Sequence, residues 1–352
     1  MHGGDIYRNI VHTDFSVNIN PLGIPEQVRE KLAEAIGQVQ AYPDERCEEL
    51  RERLAARYEL QKENVLCGNG ASELLLAISR WKRPHKALLL APGFSGYRRA
   101  LRAGDCRITH FYLRKDEEFA LTGERAKELA EKLRNGGFDL FILTNPSNPT
   151  GKLTELETVR MLAKTCEEAG TVMVVDECFM ELTAEPERHS MTKAFLEYSN
   201  ILVLRAFTKT FAIPGIRLGY LLCKDEAVAK KIALQLPEWN VSLPAQAAGI
   251  AALEQEGYLE ASRVFVKLQR AFLEKGLQKL GAKVYQSDAN FLLFQWKDEE
   301  LYEKLLKQGY LIRDCQDYEG LGKGYYRIAV KNRMENEMLL QTIETMQGSQ
   351  KR

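Results

Sequence analysis

The sequence predicts an α/β protein built on a mostly parallel sheet that helices cover on both faces. Short, mainly apolar segments such as Phe138–Leu143, Thr171–Val175 and Ile201–Leu204 alternate with amphipathic segments such as Glu155–Glu168. Strands that are apolar on both faces belong inside a parallel sheet, where the crossover helices shield them from water. The alternation along the chain therefore indicates both the fold class and the order of its layers.

The same patterns place the other elements of this region. We expect further strands at Lys86–Leu90, Arg107–Leu113 and Leu218–Leu222. Helical patterns cover Glu48–Tyr58, Ser72–Trp81, Ser95–Ala103 and Glu124–Arg134. Nearer the start, Ile24–Ile36 predicts a helix opened by Pro25, because proline is tolerated in a first helical turn.

The last third of the chain has a different pattern. A long, mainly helical stretch, Pro244–Gly276, precedes short strands at Ala282–Tyr285, Phe291–Gln295 and Tyr325–Val330, with helices at Glu299–Lys307 and Met334–Met346. This pattern predicts a smaller α+β domain. We expect residues 41–245 to form the large domain and residues 246–352 the small one, which the N-terminal segment 1–40 joins.

Composition excludes several classes of protein. The 352 residues carry 49 Lys and Arg against 49 Asp and Glu, which gives no basic field for nucleic acid or an anionic membrane. The seven cysteines contain no C-x-x-C pair, which argues against a disulfide framework and a zinc site. No apolar run is long enough to span a bilayer, and the first residues lack a signal-peptide pattern. We therefore expect a cytoplasmic protein without a bound metal.

Lys209 lies in the most informative stretch of the sequence. It closely follows the apolar segment Ile201–Leu204, with Thr208 beside it and Arg217 eight residues later. A lysine that is partly buried near other cations loses its proton readily and can form an imine with an aldehyde. A hydroxyl and a guanidinium suit a phosphate ester. The run indicates pyridoxal 5'-phosphate (PLP), although most lysines that follow a strand are solvated surface residues.

A glycine-rich turn offers a second phosphate contact. Gly70, Ala71 and Ser72 stand between a short apolar strand and the helix that follows. Small residues at a helix N-terminus let backbone N–H groups approach an anion, which the helix dipole also favours. Taken alone, Ser72 is more typical of an ordinary helix N-cap.

Two polar motifs end buried strands, where open α/β sheets bind ligands. Asn148 lies in the turn Asn145–Gly151 and would donate its amide to a phenolate oxygen. Asp176 and Glu177 follow the strand Thr171–Val175, and either carboxylate could pair with a protonated pyridine nitrogen. Chemistry alone leaves the choice between the two acids open.

Three more residues stand out by type and position. Phe94 follows a strand and could stack on a cofactor ring or belong to the core. Arg327 sits within the strand-like Tyr325–Val330, and a buried arginine there needs an anion such as a substrate carboxylate. Tyr42 precedes the helix Glu48–Tyr58.

The order and spacing of these motifs resemble the fold-type I PLP enzymes of the class I/II aminotransferase superfamily over nearly the whole chain. The resemblance implies a large PLP-binding domain, a smaller α+β domain and a homodimer. It assigns Lys209 as the Schiff-base lysine and selects Asp176 as the partner of the pyridine nitrogen. It also implies that Asn148 contacts the ring hydroxyl and that Phe94 stacks on the ring.

The resemblance also assigns the anion contacts. The cofactor phosphate would be held by the turn from Gly70 to Ser72, by Thr208 and by Arg217. Tyr42 would reach the cofactor phosphate of a neighbouring subunit, and Arg327 would bind the substrate carboxylate.

Two branches of the superfamily match the chain, the threonine-phosphate decarboxylases and the histidinol-phosphate aminotransferases. Four features favour the decarboxylases, which supply a phosphorylated amino alcohol for cobalamin. These are the opening His2-Gly3-Gly4-Asp5, the segment Asp14–Gly23, Phe179 where aminotransferases carry tyrosine, and Leu311–Cys315 with the later Gly320-Leu321-Gly322. The implied reaction is decarboxylation of O-phospho-L-threonine or a close relative such as O-phosphoserine.

The decarboxylase resemblance adds His2 and Asn18 as contacts of the substrate phosphate, and Asn148 as a substrate contact. Lys152 is a further basic candidate near that site. Arg313 would be either a second anion contact or the partner of Asp314 in a structural ion pair. A non-catalytic protein with this fold remains a third hypothesis, which the joint presence of the site residues disfavours.

Overall fold

The computed structural model describes residues 3–350, with side chains through residue 348. Its strands are β1 (Thr13–Asp14), β2 (Val65–Gly68), β3 (Lys86–Ala91), β4 (Arg107–Tyr112), β5 (Leu140–Thr144), β6 (Val172–Asp176), β7 (Ile201–Ala206), β8 (Gly219–Cys223), β9 (Lys283–Val284), β10 (Phe291–Gln295), β11 (Tyr310–Leu311), β12 (Arg313–Asp314) and β13 (Tyr325–Ala329).

The helices alternate with the strands through the first two thirds of the chain. They are α1 (Glu26–Ile36), α2 (Glu48–Tyr58), α3 (Ala71–Lys82), α4 (Ser95–Arg102), α5 (Gly123–Gly136), α6 (Leu156–Glu168), α7 (Pro186–His189), α8 (Phe207–Thr210), α9 (Glu226–Ala233), α10 (Leu243–Leu253), α11 (Glu256–Lys279), α12 (Leu301–Lys307) and α13 (Arg333–Gln350).

The large sheet confirms the predicted fold class. Its strand order is β2-β8-β7-β6-β5-β3-β4, and the paired strands from β7 to β4 run parallel. Only β8 runs against them, because the segment that joins it to β7 turns straight back instead of crossing over as a long helix. This returning segment begins with α8 and carries Lys209.

The second sheet is small and antiparallel, with the order β12-β13-β10-β9. In its register Arg327 of β13 lies opposite Leu293 of β10 and opposite Arg313 of β12. Strand β1, near the start of the chain, pairs with β11, and the backbone N–H of Ala329 donates to the carbonyl of Phe15. The N-terminal segment is thus fixed beside the late strand that carries Arg327.

Some boundaries differ from those that the sequence predicts. The long C-terminal helical stretch divides into α10 and α11, and α9 was not expected. Helix α3 begins at Ala71 with Gly70 as its N-cap, so Ser72 lies in the first turn and the N-cap alternative for it is wrong. Within residues 3–350, no helix is long and apolar enough to cross a membrane, and no cluster of acidic, Cys or His side chains is arranged to hold a metal.

The two adjacent acids at the end of β6, Asp176 and Glu177, face opposite sides of the sheet. Asp176 lines the open cleft at the carboxyl edge of the sheet. Glu177 points to the other face, where its carboxylate pairs with the buried Arg205 of β7 at 2.7 Å and accepts from Ser190 at 2.7 Å. Successive residues of a strand face opposite sides of a sheet, so a single dipeptide supplies one acid to each side.

Arg205 compensates two buried carboxylates on that closed face. Besides Glu177 it pairs with Glu181 at 2.6 Å and donates to the hydroxyl of Tyr58 at 3.1 Å. Arg263 completes the cluster by pairing with Glu181 at 2.9 Å. These ion pairs stabilise β7 on the face opposite the cleft, and α8 follows directly after β7.

We expect Arg205→Met to lower the free energy of unfolding by about 3–5 kcal/mol, because it leaves Glu177 without its cation in a dry interior. Urea denaturation of the purified protein measures this loss. The matched control is Arg53→Ala, whose exposed pair with Glu254 should be worth at most about 1 kcal/mol. Adding Glu177→Gln to Arg205→Met should restore part of the loss. Equal losses for the Arg205 and Arg53 variants would contradict this account.

Candidate active site

A cleft of about 600 Å³ opens where β5, β6 and β7 end. Twelve of the residues singled out in the sequence line it, namely Asn18, Ala71, Ser72, Phe94, Asn148, Asp176, Phe179, Thr208, Lys209, Arg217, Arg313 and Arg327. They come from segments far apart in the chain, which the parallel sheet and the N-terminal segment bring to one edge. His2 lies outside the described residues.

Lys209 sits in the short helix α8, directly beyond β7. Burial and the nearby positive charge of Arg327 lower the pKa of its ammonium to about 8. At pH 7 such a lysine is neutral in about a tenth of the molecules, far more than an ordinary lysine with a pKa near 10.4. The amine is therefore prepared to attack an aldehyde.

Asn20 holds the segment that carries Lys209, a role that the sequence did not reveal. Its backbone N–H donates to the carbonyl of Lys209 at 3.0 Å, and its side-chain amide donates to the carbonyl of Thr210 at 2.8 Å. The only available signal was its place in the Asp14–Gly23 segment, two residues after Asn18. The N-terminal segment is therefore hydrogen-bonded both to the segment that carries Lys209 and to the late strand β13.

Asp176 is a buried acid held by two donors. The hydroxyl of Tyr97 donates to Oδ2 at 2.7 Å, and the backbone N–H of Cys178 donates to Oδ1 at 3.0 Å. Burial raises the pKa of this carboxyl, while the hydrogen bonds from Cys178 and Tyr97 act in the opposite direction. An anion in this position favours a cationic partner such as a protonated ring nitrogen.

Tyr97 was not predicted as a site residue. It is buried in α4, three residues after Phe94, and its hydroxyl also lies 2.7 Å from Oγ1 of Thr144. Its ring meets that of Phe94 edge-on, with centroids 5.4 Å apart. The sequence showed both aromatics in one turn but could not distinguish the ring that lines the cleft from the hydroxyl that orients the acid.

The first turn of α3 and Arg217 form a corner suited to an anion. Gly70 has φ +78°, and a Cβ there would come within 2.6 Å of a guanidinium nitrogen of Arg217, so only glycine allows this approach. The backbone N–H groups of Ala71 and Ser72 are in the first helical turn, where no intrahelical carbonyl can accept from them. Thr208 adds a hydroxyl to the same cleft.

Arg327 is a buried cation whose contacts are all neutral. One nitrogen donates to Oδ1 of Asn148 at 2.5 Å and to the hydroxyl of Tyr318 at 3.3 Å, and another donates to the carbonyl of Ser16 at 2.7 Å. Its Nε is buried and has no hydrogen-bond partner among residues 3–348. No carboxylate of the described residues lies within 4.0 Å of the guanidinium. An unpaired buried cation of this kind calls for an anionic ligand.

Asn148 and Asn18 bring amide groups to the cleft. Because Oδ1 of Asn148 accepts from Arg327, its Nδ2 is the group left to donate to a ligand. Asn18 is buried, and its Oδ1 has no hydrogen-bond partner in the part of the chain that the structure describes. Phe179 lines the same cleft and packs edge-on against Phe291 with centroids 5.1 Å apart, so this wall offers no hydroxyl.

Other residues that the sequence singled out lie elsewhere. Tyr42 is 78% exposed, packs against Trp239 with centroids 4.7 Å apart and ring planes tilted by 37°, and does not line the cleft of its own chain. Lys152 pairs with Glu118 at 2.9 Å and is also outside the cleft wall.

Arg313 lines the cleft, but the expected ion pair with Asp314 is wrong. The guanidinium pairs with the carboxylate of Asp317 at 2.7 Å and donates only to the backbone carbonyl of Asp314. Residues of a strand alternate in direction, so adjacent side chains such as these two cannot readily meet.

Comparison with known proteins agrees with this geometry. The family model for aminotransferases of class I and II matches residues 11–344. The threonine-phosphate decarboxylase of Salmonella typhimurium is 33% identical over 336 residues, which cover 95% of this chain and 90% of that protein.

Two further relatives extend the comparison. The adenosylcobalamin biosynthesis bifunctional protein CobDQ of Leptospira interrogans is 30% identical, over 93% of this chain and 38% of that protein. Among solved structures, the histidinol-phosphate aminotransferase of Clostridium acetobutylicum superposes with a TM-score of 0.87 at 30% identity, covering 95% of this chain and 99% of that one.

The lowered pKa of Lys209 gives a pH-dependent prediction. In protein freed of any bound cofactor, reductive methylation of Lys209 should reach half its maximal rate near pH 8, because the neutral amine is the nucleophile. Peptide mass spectrometry measures the rate at each pH. Lys31 is the control, since its hydrogen bond to Glu34 raises its pKa and its rate should still increase above pH 10.

Arg327→Gln should move the midpoint for Lys209 upward, since it removes a positive charge that disfavours the ammonium. A midpoint near that of Lys31 in the wild-type protein, or one that Arg327→Gln leaves in place, would contradict the electrostatic account.

Proposed function

This chain belongs to the class I and II aminotransferase family, and we propose that it is a PLP-dependent decarboxylase of O-phospho-L-threonine or a closely related phosphorylated amino acid. The product is a phosphorylated amino alcohol, of the kind used in cobalamin biosynthesis. The observation that carries the proposal is the charge of the cleft. Among the described residues it is lined by several cations and by one carboxylate, Asp176, so it suits a ligand that bears more than one anionic group.

The donor set of the cleft fits PLP. The amine of Lys209 suits the aldehyde, and the corner of Gly70, Ala71, Ser72, Thr208 and Arg217 suits the phosphate. Asp176 suits the ring nitrogen, Phe94 the ring face and the amide of Asn148 the ring hydroxyl. When bound, PLP supplies an electron sink for the pair of electrons left at Cα.

Asp176 and Lys209 manage the protons of the reaction. The carboxylate of Asp176, held by Tyr97 and Cys178, keeps a proton on the ring nitrogen and so maintains the ring as an acceptor of electrons. The amine of Lys209 would hold the cofactor aldehyde and would be freed when the substrate amine takes its place, taking up the proton that the substrate ammonium loses. As a free ammonium it then returns a proton to Cα after CO₂ has left.

Arg327 provides the contact for the substrate carboxylate. Its buried position and neutral partners leave its charge available, and a carboxylate can bind a guanidinium through two parallel hydrogen bonds. The bond that breaks at Cα is the one perpendicular to the ring, so the direction in which the carboxylate is held decides the reaction. Remote contacts with the phosphate contribute binding energy that fixes this direction.

The substrate phosphate needs contacts of its own. We assign Asn18 to this group, since its buried side chain lines the cleft and its Nδ2 is an amide donor, and we extend the assignment to His2 on the basis of the family resemblance. Phe179 supports the decarboxylase branch, because the wall where related aminotransferases carry a tyrosine is apolar here.

The proposal includes a homodimer in the cytoplasm. Tyr42 and Trp239 form an exposed aromatic pair outside the cleft of their own chain, as expected if Tyr42 reaches the cofactor phosphate of a second copy. The domain boundaries proposed from the sequence place both residues in the large domain.

The test is product analysis with purified protein, PLP and O-phospho-L-threonine. We expect CO₂ and 1-aminopropan-2-yl phosphate in equal amounts. Lys209→Ala should abolish both products and the absorbance of the bound cofactor imine, whereas Lys193→Ala, at an exposed lysine far from the cleft wall, should retain them. O-phosphoserine should be a weaker substrate, because it lacks one methyl group, whose contacts in an apolar pocket are worth ~1–3 kcal/mol.

The overlap with a histidinol-phosphate aminotransferase supports one rival activity. If the protein released no CO₂ but moved the amino group of glutamate to imidazole acetol phosphate, the decarboxylase proposal would be wrong and the aminotransferase would replace it. Unchanged turnover in Lys209→Ala would overturn both activities.

A further inference from the structure

The cleft contains one cation that the preceding assignments do not use. Arg217 lies at the corner assigned to the cofactor phosphate, Arg327 at the carboxylate contact, and Arg313 is paired with Asp317 at 2.7 Å. The remaining cation is Arg99 on α4, an exposed side chain in the cleft wall. It makes no ion pair with any carboxylate between residues 3 and 348.

We propose that Arg99 binds the phosphate of the substrate and determines the preference for a phosphorylated amino acid. This inference rests on the proposed function, which requires a second anionic group beside the carboxylate. A guanidinium suits this task because its planar array of donors can bind two phosphate oxygens at once.

The position of Arg99 distinguishes it from the other arginines of α4. Arg98 turns away to Glu319 at 3.5 Å and to the carbonyl of Asp317 at 3.2 Å. Arg102 is exposed one turn further along the helix and is not part of the cleft wall. Arg99 alone of the three lines the cleft without a protein anion to neutralise it.

The N-terminal segment contributes donors to the same cleft. Gly3, Ser16 and Asn18 line the cleft together with Arg99, and the Nδ2 amide of Asn18 can donate to a phosphate oxygen. Gly3 packs so closely on Ser16 that a Cβ there would lie 2.5 Å from its carbonyl oxygen. The two parts of the N-terminal segment therefore pack tightly on each other, and the cleft is lined both by this segment and by α4.

The proposed sites for the cofactor phosphate and the substrate phosphate differ in chemistry. The corner of Gly70 and Arg217 offers backbone N–H groups and a glycine that permits close approach, which suits a phosphate that stays bound. Arg99 is exposed and contributes a flexible side chain, which suits a phosphate that enters and leaves with each turnover. Because an exposed charge is screened by salt, the contribution of Arg99 should diminish as ionic strength rises.

The experiment compares binding of 1-aminopropan-2-yl phosphate and 1-aminopropan-2-ol to the PLP-loaded protein by calorimetry. We expect Arg99→Gln to weaken binding of the phosphorylated amine about tenfold and of the unphosphorylated amine less than about twofold. Arg99→Lys should lie between wild type and Arg99→Gln, because lysine keeps the charge but loses the planar fork. Arg102→Gln is the matched control and should bind both amines as the wild type does.

The salt dependence provides a second readout. The dissociation constant of the phosphorylated amine should rise more steeply with ionic strength in the wild type than in Arg99→Gln. The assignment would be overturned if Arg99→Gln weakened the binding of both amines equally. It would also be overturned if Arg102→Gln weakened the binding of the phosphorylated amine as much as Arg99→Gln does. Failure of the proposed function has a different signature, since the wild type would then release no CO₂ from O-phospho-L-threonine whatever Arg99 binds.

Discussion

Among the residues that the structure describes, the guanidinium of Arg327 has no carboxylate partner, and three parts of the chain meet around it. Arg327 belongs to the small antiparallel sheet, yet it donates to Asn148 at the edge of the large sheet and to the carbonyl of Ser16 in the N-terminal segment. Burying a cation is costly unless polar groups or an anion compensate it. The three parts of the chain therefore meet around one charge whose neutral partners satisfy it only in part.

That charge also acts on Lys209. It is the largest electrostatic contribution that lowers the pKa of the lysine, second only to burial. When a carboxylate binds Arg327, part of this repulsion is cancelled, so the affinity of Lys209 for a proton should increase as the substrate arrives. The amine is thus reactive toward the cofactor before either ligand is bound and a better proton carrier once the substrate is held, which is the order of roles that the proposed reaction requires.

The amino-acid sequence predicted the sheet and most of the cleft wall, because both depend on local pattern. Apolar runs identified the strands, and the residues that follow them were bound to meet at one edge of the sheet. The choice of Asp176 over Glu177 depended on family resemblance, yet it has a physical basis in strand alternation, which sends Glu177 to Arg205 on the opposite face. The antiparallel β8 and the capping of α3 by Gly70 could not be anticipated from periodicity.

The contacts that the sequence missed are those between distant segments. Nothing in the vicinity of Asn20 indicates that it holds the backbone of Lys209, and nothing near Tyr97 indicates that its hydroxyl reaches Asp176 across the sheet edge. The predicted partner of Arg313 was wrong for the same reason. Asp314 is adjacent in sequence, but the carboxylate that lies near the guanidinium in the structure belongs to Asp317. Such pairings are set by tertiary packing, which a single sequence does not encode in any local signal.

The most direct measurement concerns the charge at Arg327. In a Lys209→Ala background, which prevents turnover, calorimetry can compare O-phospho-L-threonine with 1-aminopropan-2-yl phosphate, which differs from it by the missing carboxylate. If Arg327 binds the carboxylate, Arg327→Gln should weaken the first ligand about 10- to 100-fold and the second less than about threefold. Equal weakening of both ligands, or of neither, would contradict the account.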